Sequence, residues 1–178
     1  ALVRAAEGCR DAAKGFGAPF ISGKDSMFNQ SKDEKGKDLA IPGTLLISAV
    51  APVPDGRKAV TMDFKGVGNA LYLIGRTNDE LGGSLYHRIL GRVGGEVPKV
   101  SPAAAIDGFK ALHAAMTRGH VLSAHDLSEG GLALCAAEMG FTGEFGCLLD
   151  LDECPRDPRI YSNETLLFSE SPSRILVE

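Results

Sequence analysis

Apolar residues recur at helical spacing at the start of the chain, where Leu2, Ala5, Ala6, Cys9, Ala12, Ala13 and Phe16 fall three and four apart. That stripe predicts a helix over residues 1 to 16, stopped by Gly15 and Gly17 and closed to continuation by Pro19. Phe20 and Ile21 begin a short strand ending at Gly23, and SKDEKGKD (31 to 38) is a solvated connector. GTLLISAVAPV (43 to 53) is a continuous apolar run with β-branched members, which predicts a strand buried on both faces or the edge of a barrel. KAVTMDF (58 to 64) alternates, so another strand is expected there. Gly66, Gly68 and Asn69 mark a break, and a domain boundary is placed near residue 66.

Beyond the break the rhythm alternates between strand and helix. ALYLIG (70 to 75) reads as a buried strand, and TNDELGGSLYHRIL has helical character weakened by Gly82 and Gly83. SPAAAIDGFKALHAAMTRG is the clearest helix, with Ser101 as cap, Pro102 at the first position, Ile106, Phe109, Leu112 and Met116 inward, and Gly119 as terminator. HVLSA (120 to 124) predicts a strand, GLALCAAEMG a helix closed by Gly140, and GCLLDL and SRILVE two further strands. The class is α+β in two lobes, a helix packed on strands over 1–65 and an α/β layer over 66–178.

A chain of 178 residues, 44% hydrophobic and 24% charged, is long enough to bury a core and is compositionally an ordinary globular protein. No window approaches the roughly 20 apolar residues of a membrane span, and the charged start does not suit a signal peptide. A cytoplasmic protein is expected. The net charge of -4, with no basic stripe, argues against a nucleic-acid surface and for small ligands as partners. Cys9, Cys135, Cys147 and Cys154 are scattered without a C-x-x-C pair, which predicts reduced packing thiols. The absence of an initial Met and the apolar close, RILVE, suggest a segment of something longer.

Two motifs carry candidate chemistry. In PFISGKDSMFNQ the Gly-Lys pair invites comparison with a P-loop, but five residues separate Gly17 from Gly23 where the motif has four. Asp25 also stands where Ser or Thr belongs, and no amphipathic helix follows. What remains is a glycine permitting close backbone approach, an ammonium suited to phosphate, a carboxylate suited to a hard cation, and a hydroxyl, or else a polar turn in solvent. In SAHDLSEGGLALCAAEM (123 to 139) a polar loop lies between a strand and a helix start, where free N–H groups and the helix dipole favour anions. Asp126 offers a carboxylate to Mg2+, Ser128 a hydroxyl, and Gly130 and Gly131 a bare backbone. Alternatively Ser128 caps the helix, Glu129 fills its first turn, and His125 is hydrogen-bonded or exposed. In LFSESPSRILVE, Glu170 and Arg174 flank a Pro turn and suggest an internal ion pair.

GKDSM after a strand, IPGTLLISAVAPVPDGRKAVTMDF, NDELGGS, AHDLSEGGLALCAAEM and FSESPSR, in this order, closely resemble the phosphoribosylformylglycinamidine synthases, ATP-dependent amidoligases of purine biosynthesis. The resemblance spans essentially the whole chain. It implies a fold of the aminoimidazole ribonucleotide synthetase type, with 1–65 from the end of a second strand-rich A lobe and 66–178 from a second α/β B lobe. It further implies ATP or ADP and Mg2+ as cofactors, formylglycinamide ribonucleotide as substrate, and the remaining lobes and a glutaminase domain or subunit as partners. Carried over by motif, Asp126 is implied as a magnesium ligand, Ser128 as a nucleotide contact, Gly23 as a residue near ATP and Ser26 as a substrate contact, while Lys24, Gly130 and Gly131 are nucleotide-binding candidates by their own chemistry. Small synthases have Asn at position 24, and an ammonium cannot ligate Mg2+. The metal role there passes to Asp25, or the site is an auxiliary one holding nucleotide structurally. No residue in this piece is implied as the catalytic acid, base or nucleophile. A noncatalytic scaffold half, or a sister enzyme of the superfamily, are the alternative readings.

Overall fold

The computed structural model of the chain describes residues 1–24, 26 and 30–178, and they form two compact units, Ala1–Val53 and Pro54–Glu178. In the first unit the expected helix is present as α1 (Leu2–Phe16), and it ends where Gly17 adopts a left-handed conformation that lets its N–H reach back to Ala13 O. Gly15 lies inside the helix. A hairpin of β1 (Gln30–Lys32) and β2 (Asp38–Ala40) frames the charged loop, whose tip is pinned by Asp33 Oδ1 accepting from the N–H groups of Lys35 and Lys37. Residues 20–21 and 43–53 are not strands. A ladder needs a neighbouring backbone to pair with, and none of the described residues supplies one to these runs.

The second unit is built on a three-stranded antiparallel sheet with β5 (Ile175–Val177) between β3 (Tyr72–Ile74) and β4 (Ala124–Asp126). Leu176 pairs with Leu73 on one side and His125 on the other, so these three side chains share a face. That face is covered by α4 (Gly131–Gly143) and α5 (Asn163–Phe168), in a core of Phe64, Leu127, Leu132, Cys135, Met139, Ile160, Leu166 and Leu176. Val177 points the other way, into a smaller cluster with Leu112 and Val121 beneath α3 (Pro102–Thr117). A short α2 (Leu85–Ile89), whose cap Ser84 accepts from His87 N–H, precedes α3.

The helix expected over 101–119 is therefore present, but its inward face is turned by about one residue. Ala105 and Leu112 are buried, Ile106 and Met116 are half-buried, and Phe109 is exposed. Gly108 faces Ile74, where an added Cβ would make an ordinary 3.4 Å contact with Cγ2. Ladder pairing at residues 120–124 begins later than the apolar run, and β4 proper is Ala124–Asp126. Residues 58–64 contribute only a bridge between Thr61 and Ser123, and 146–151 no strand, for want of a paired neighbour. The helix expected to end at Gly140 runs three residues further, to Gly143.

The end of β5 is clamped to the segment before β3 by one carboxylate. Glu178, 7% exposed, accepts from the N–H groups of Lys65 and Gly66, from Asn69 Nδ2 at 2.7 Å and from Ser123 Oγ at 2.8 Å. Burial pushes this carboxyl up, but the donors from Asn69, Ser123, Lys65 and Gly66 outweigh it and hold the group below its ordinary value.

Candidate functional site

The loop HDLSEGG joins β4 to α4, as the strand–loop–helix reading of 123–139 requires. Asp126 is the last residue of β4, and Leu127, buried in the core with its N–H on Arg174 O, ties the loop to β5. Asp126 and Ser128 on either side of this anchor are exposed. The side chain of Asp126 is 75% exposed, which leaves its carboxylate open to an incoming cation.

The start of α4 does not follow the alternative reading in which Ser128 caps the helix. Gly130 occupies the cap, without a side-chain hydrogen bond, and Gly130 and Gly131 both have positive φ, 78° and 63°. A Cβ on Gly131 would lie 2.5 Å from Ser169 O and 2.7 Å from Leu167 O, so this glycine is required where α4 meets the end of α5. Gly130 N–H donates to Glu170 Oε1 at 2.9 Å, and Gly131 N–H to Ser128 O. The same Glu170 oxygen accepts from Leu85 N–H at the start of α2, at 2.8 Å. One carboxylate thus joins two helix starts, and both glycine N–H groups are engaged within the chain.

The ion pair expected between Glu170 and Arg174 is absent among the described residues. Arg174 is 1% exposed and donates instead to Ser171 O, Thr77 Oγ1 and Ser169 O. Burial pulls its guanidinium down to about 10, with the nearby Glu80 and Glu170 opposing that shift, so it remains a cation at neutral pH. Its role is to bind the turn carrying Ser169 and Ser171 to the loop at Thr77 and Asn78, whose carbonyl accepts from Ser169 Oγ at 2.7 Å.

His125, from the sheet face that looks at α4, contacts carboxylates through both ring nitrogens. Nε2 lies 2.6 Å from Glu138 Oε2 and Nδ1 3.4 Å from Asp126 Oδ1. Glu138, like Glu170, escapes a motif reading of the loop, although it is the one charged residue of an otherwise apolar and small-residue helix. The Cys135 thiol donates to His125 O, and burial, with the charges of Asp126 and Glu138, pushes it up to about 12. It is a packing thiol, not a nucleophile. All four cysteines are free.

In the first unit Gly23, Lys24 and Ser26 are exposed, and Lys24 Nζ donates to Ser26 Oγ at 2.7 Å. Asp25 lies outside the described residues. Among the described residues no three His, Cys, Asp or Glu side chains converge as a cation cage.

The family model described as AIR synthase related protein, C-terminal domain, matches residues 66–178. The chain belongs to that family. The curated phosphoribosylformylglycinamidine synthase subunit PurL of Lactobacillus helveticus is 35% identical over 99% of this chain and 22% of its own length. The corresponding subunits of Zymomonas mobilis and Thermococcus sibiricus are 31% and 34% identical, each over 99% of this chain and 24% of their own. The chain therefore spans about a quarter or less of these relatives. Among solved structures, Thermotoga maritima PurL complexed with FGAR superposes with a TM-score of 0.61 at 21% identity, over 68% of this chain and 21% of that one. T. maritima PurLQS gives 0.57 at 22% identity, over 68% and 19%. These likenesses establish the α+β fold of the AIR synthase related family. No helix of the described residues is long and apolar enough to cross a membrane.

Proposed function

We propose that this chain is the C-terminal portion of a phosphoribosylformylglycinamidine synthase, with residues 1–65 from its second A lobe and 66–178 from its second B lobe. The intact, cytoplasmic enzyme would convert formylglycinamide ribonucleotide, ATP and glutamine-derived ammonia to the amidine, with a glutaminase domain or subunit delivering the ammonia. The observation that carries this reading is identity of 31 to 36% to PurL subunits along nearly the whole chain, together with an exposed carboxylate at the end of β4.

In this reading Asp126 is the chain's ligand to Mg2+, which would neutralise nucleotide phosphate oxygens when bound. Ser128, exposed two residues on, contacts the nucleotide. Gly130 and Gly131 give the backbone the path that presents both, and Glu170 holds that path. Within the unit Ala1–Val53, taken by itself, Gly23 and Lys24 are nucleotide contacts by the same resemblance, the Lys24 ammonium suited to phosphate charge, with Ser26 a substrate contact and Asp25 a carboxylate for Mg2+. Turnover is expected of the intact enzyme, with the remaining lobes in place.

The test is Asp126→Ala in the intact enzyme, alongside calorimetric titration of Mg-ADP. Loss of turnover and of Mg-ADP binding with unchanged melting is the expected result. A large fall in melting temperature with turnover retained would instead make this half a nucleotide-stabilised scaffold. Unchanged Mg-ADP binding would remove Asp126 as the metal ligand.

A further inference from the structure

The helices α2 and α5 are capped locally, by Ser84 accepting from His87 N–H and by Ser162 accepting from Thr165 N–H. In α4 the cap residue is Gly130, which has no side chain to offer, and the acceptor for its N–H is Glu170, 40 residues away. A serine capping α4 would turn its hydroxyl inward. With a remote acceptor in that role, Ser128 stays exposed two residues before the cap. Glu170 also closes a second helix start. The same Oε1 accepts from Gly130 N–H at 2.9 Å and from Leu85 N–H at 2.8 Å, so the loop HDLSEGG (125–131) and the segment NDELGGS (78–84) with the start of α2 meet at one atom.

That atom is itself firmly placed. Glu170 lies between Ser169 and Ser171, both fully buried, and its own N–H donates to Glu80 O. Ser169 Oγ donates to Asn78 O, and Arg174 donates to the carbonyls of Ser169 and Ser171, so the turn is fastened on both sides of the carboxylate. Gly131 closes against Ser169 O without room for a Cβ. The Glu170 charge has a second possible use, since the buried Arg174 cation lies near it. The two uses make different demands on the side chain: balancing Arg174 takes a negative charge, whereas holding two backbones takes an oxygen at this reach. We propose that Glu170 is a positioning residue, whose one oxygen makes the HDLSEGG loop and the start of α2 a single rigid unit and so keeps Asp126 and Ser128 in the arrangement that binds Mg-nucleotide. This inference rests on the nucleotide reading of that loop above. When the loop leaves its arrangement, apparent affinity falls in proportion to the fraction of molecules still holding it.

The experiment uses the intact enzyme and reads Mg-ADP affinity by calorimetry, the melting temperature, and hydrogen exchange at the amides of Leu85 and Gly130. Glu170→Asp keeps the charge but draws the oxygen back by one methylene, Glu170→Gln removes the charge but leaves an oxygen at the same reach, and Asp126→Ala is the reference. The expected result for Glu170→Asp is about tenfold weaker Mg-ADP binding, as the competent fraction falls to about a tenth, with both amides exchanging faster together. Glu170→Gln should bind within about threefold of the wild type, since a neutral acceptor weakens these hydrogen bonds without abolishing them. The reverse order, with Gln weak and Asp unchanged, makes Glu170 a counter-charge to Arg174 and overturns the proposal. Wild-type affinity in both variants, or equal losses that follow the melting temperature, overturns it too while a weakened Asp126→Ala leaves the nucleotide reading standing. If Asp126→Ala itself binds as the wild type does, that reading fails and the positioning role falls with it. Should Glu170→Asp not fold, exchange in the wild type decides: Mg-ADP that slows Leu85 together with Gly130 supports the shared unit, and slowing at Gly130 alone overturns it.

Discussion

Leu46, in the run before Val53, is 87% exposed, whereas Met139 on α4 is fully buried. Both belong to apolar stretches that read from the sequence as interior. The unit Ala1–Val53 has an amphipathic helix and an eleven-residue apolar run, yet none of its described residues is buried. The unit Pro54–Glu178 sets a three-stranded sheet between α3 on one face and α4 with α5 on the other, and its apolar residues close into two clusters. The difference lies in partners rather than composition. Hydrophobic burial needs a second layer, and a strand needs a ladder.

That comparison predicts where substitutions will matter in the 178-residue chain. Met139→Ala removes a side chain from the centre of the larger cluster, and a cost of about 2–5 kcal/mol is expected from lost transfer energy and the cavity left behind. Urea unfolding followed by circular dichroism measures it. A loss below about 1 kcal/mol would mean that the second unit is not closed around α4.

The next effect, smaller and dependent on pH, concerns the clamp at Glu178. Its carboxyl is held below the ordinary value, so its contribution is fully present above that value and is lost as pH falls through the depressed one. Glu178→Gln keeps the shape but weakens charge-assisted hydrogen bonds from Lys65, Gly66, Asn69 and Ser123. A destabilisation of about 1.5–3 kcal/mol is expected at neutral pH, the range for hydrogen bonds to charged groups. The difference between variant and parent should shrink on acidification, as the parent alone loses this term. Unfolding free energies from about pH 7 down to pH 3 check the sign, and a gap that widens toward acid would contradict the assignment.

Legibility in the sequence followed the same division. Elements whose signals are local were readable: α1 from its stripe and Gly17, α3 from Pro102 and its periodicity, and the strand–loop–helix order that places Asp126 and Ser128 on an exposed loop. Runs 43–53 and 146–151 were not, since their apolar, β-branched content states a preference for pairing and not the presence of a partner. The inward face of α3 runs through Ala105 and Leu112 and leaves Phe109 exposed, a rotation that periodicity alone does not register. Glu170 and Arg174, four positions apart, suggested each other. The actual partners of Glu170 are backbone groups 40 and 85 residues away, at the starts of α4 and α2. Glu138 carried the one usable hint, a lone charge on an apolar helix.

The smallest expected effect is the sharpest check on the comparison. Leu46→Ser exchanges a large apolar side chain for a hydroxyl in a stretch that sequence alone would assign to the interior, where such a change would cost several kcal/mol. With 87% of Leu46 already in water, little surface leaves solvent on folding, and the expected change is within about 0.5 kcal/mol in this chain. If the proposed assignment is right, the same substitution in the intact enzyme, where further lobes can supply the missing layer, should cost more than it does here. Equal and negligible losses in both would mean that the 43–53 run stays uncovered even in the complete protein, and its apolar character would then need an explanation other than burial.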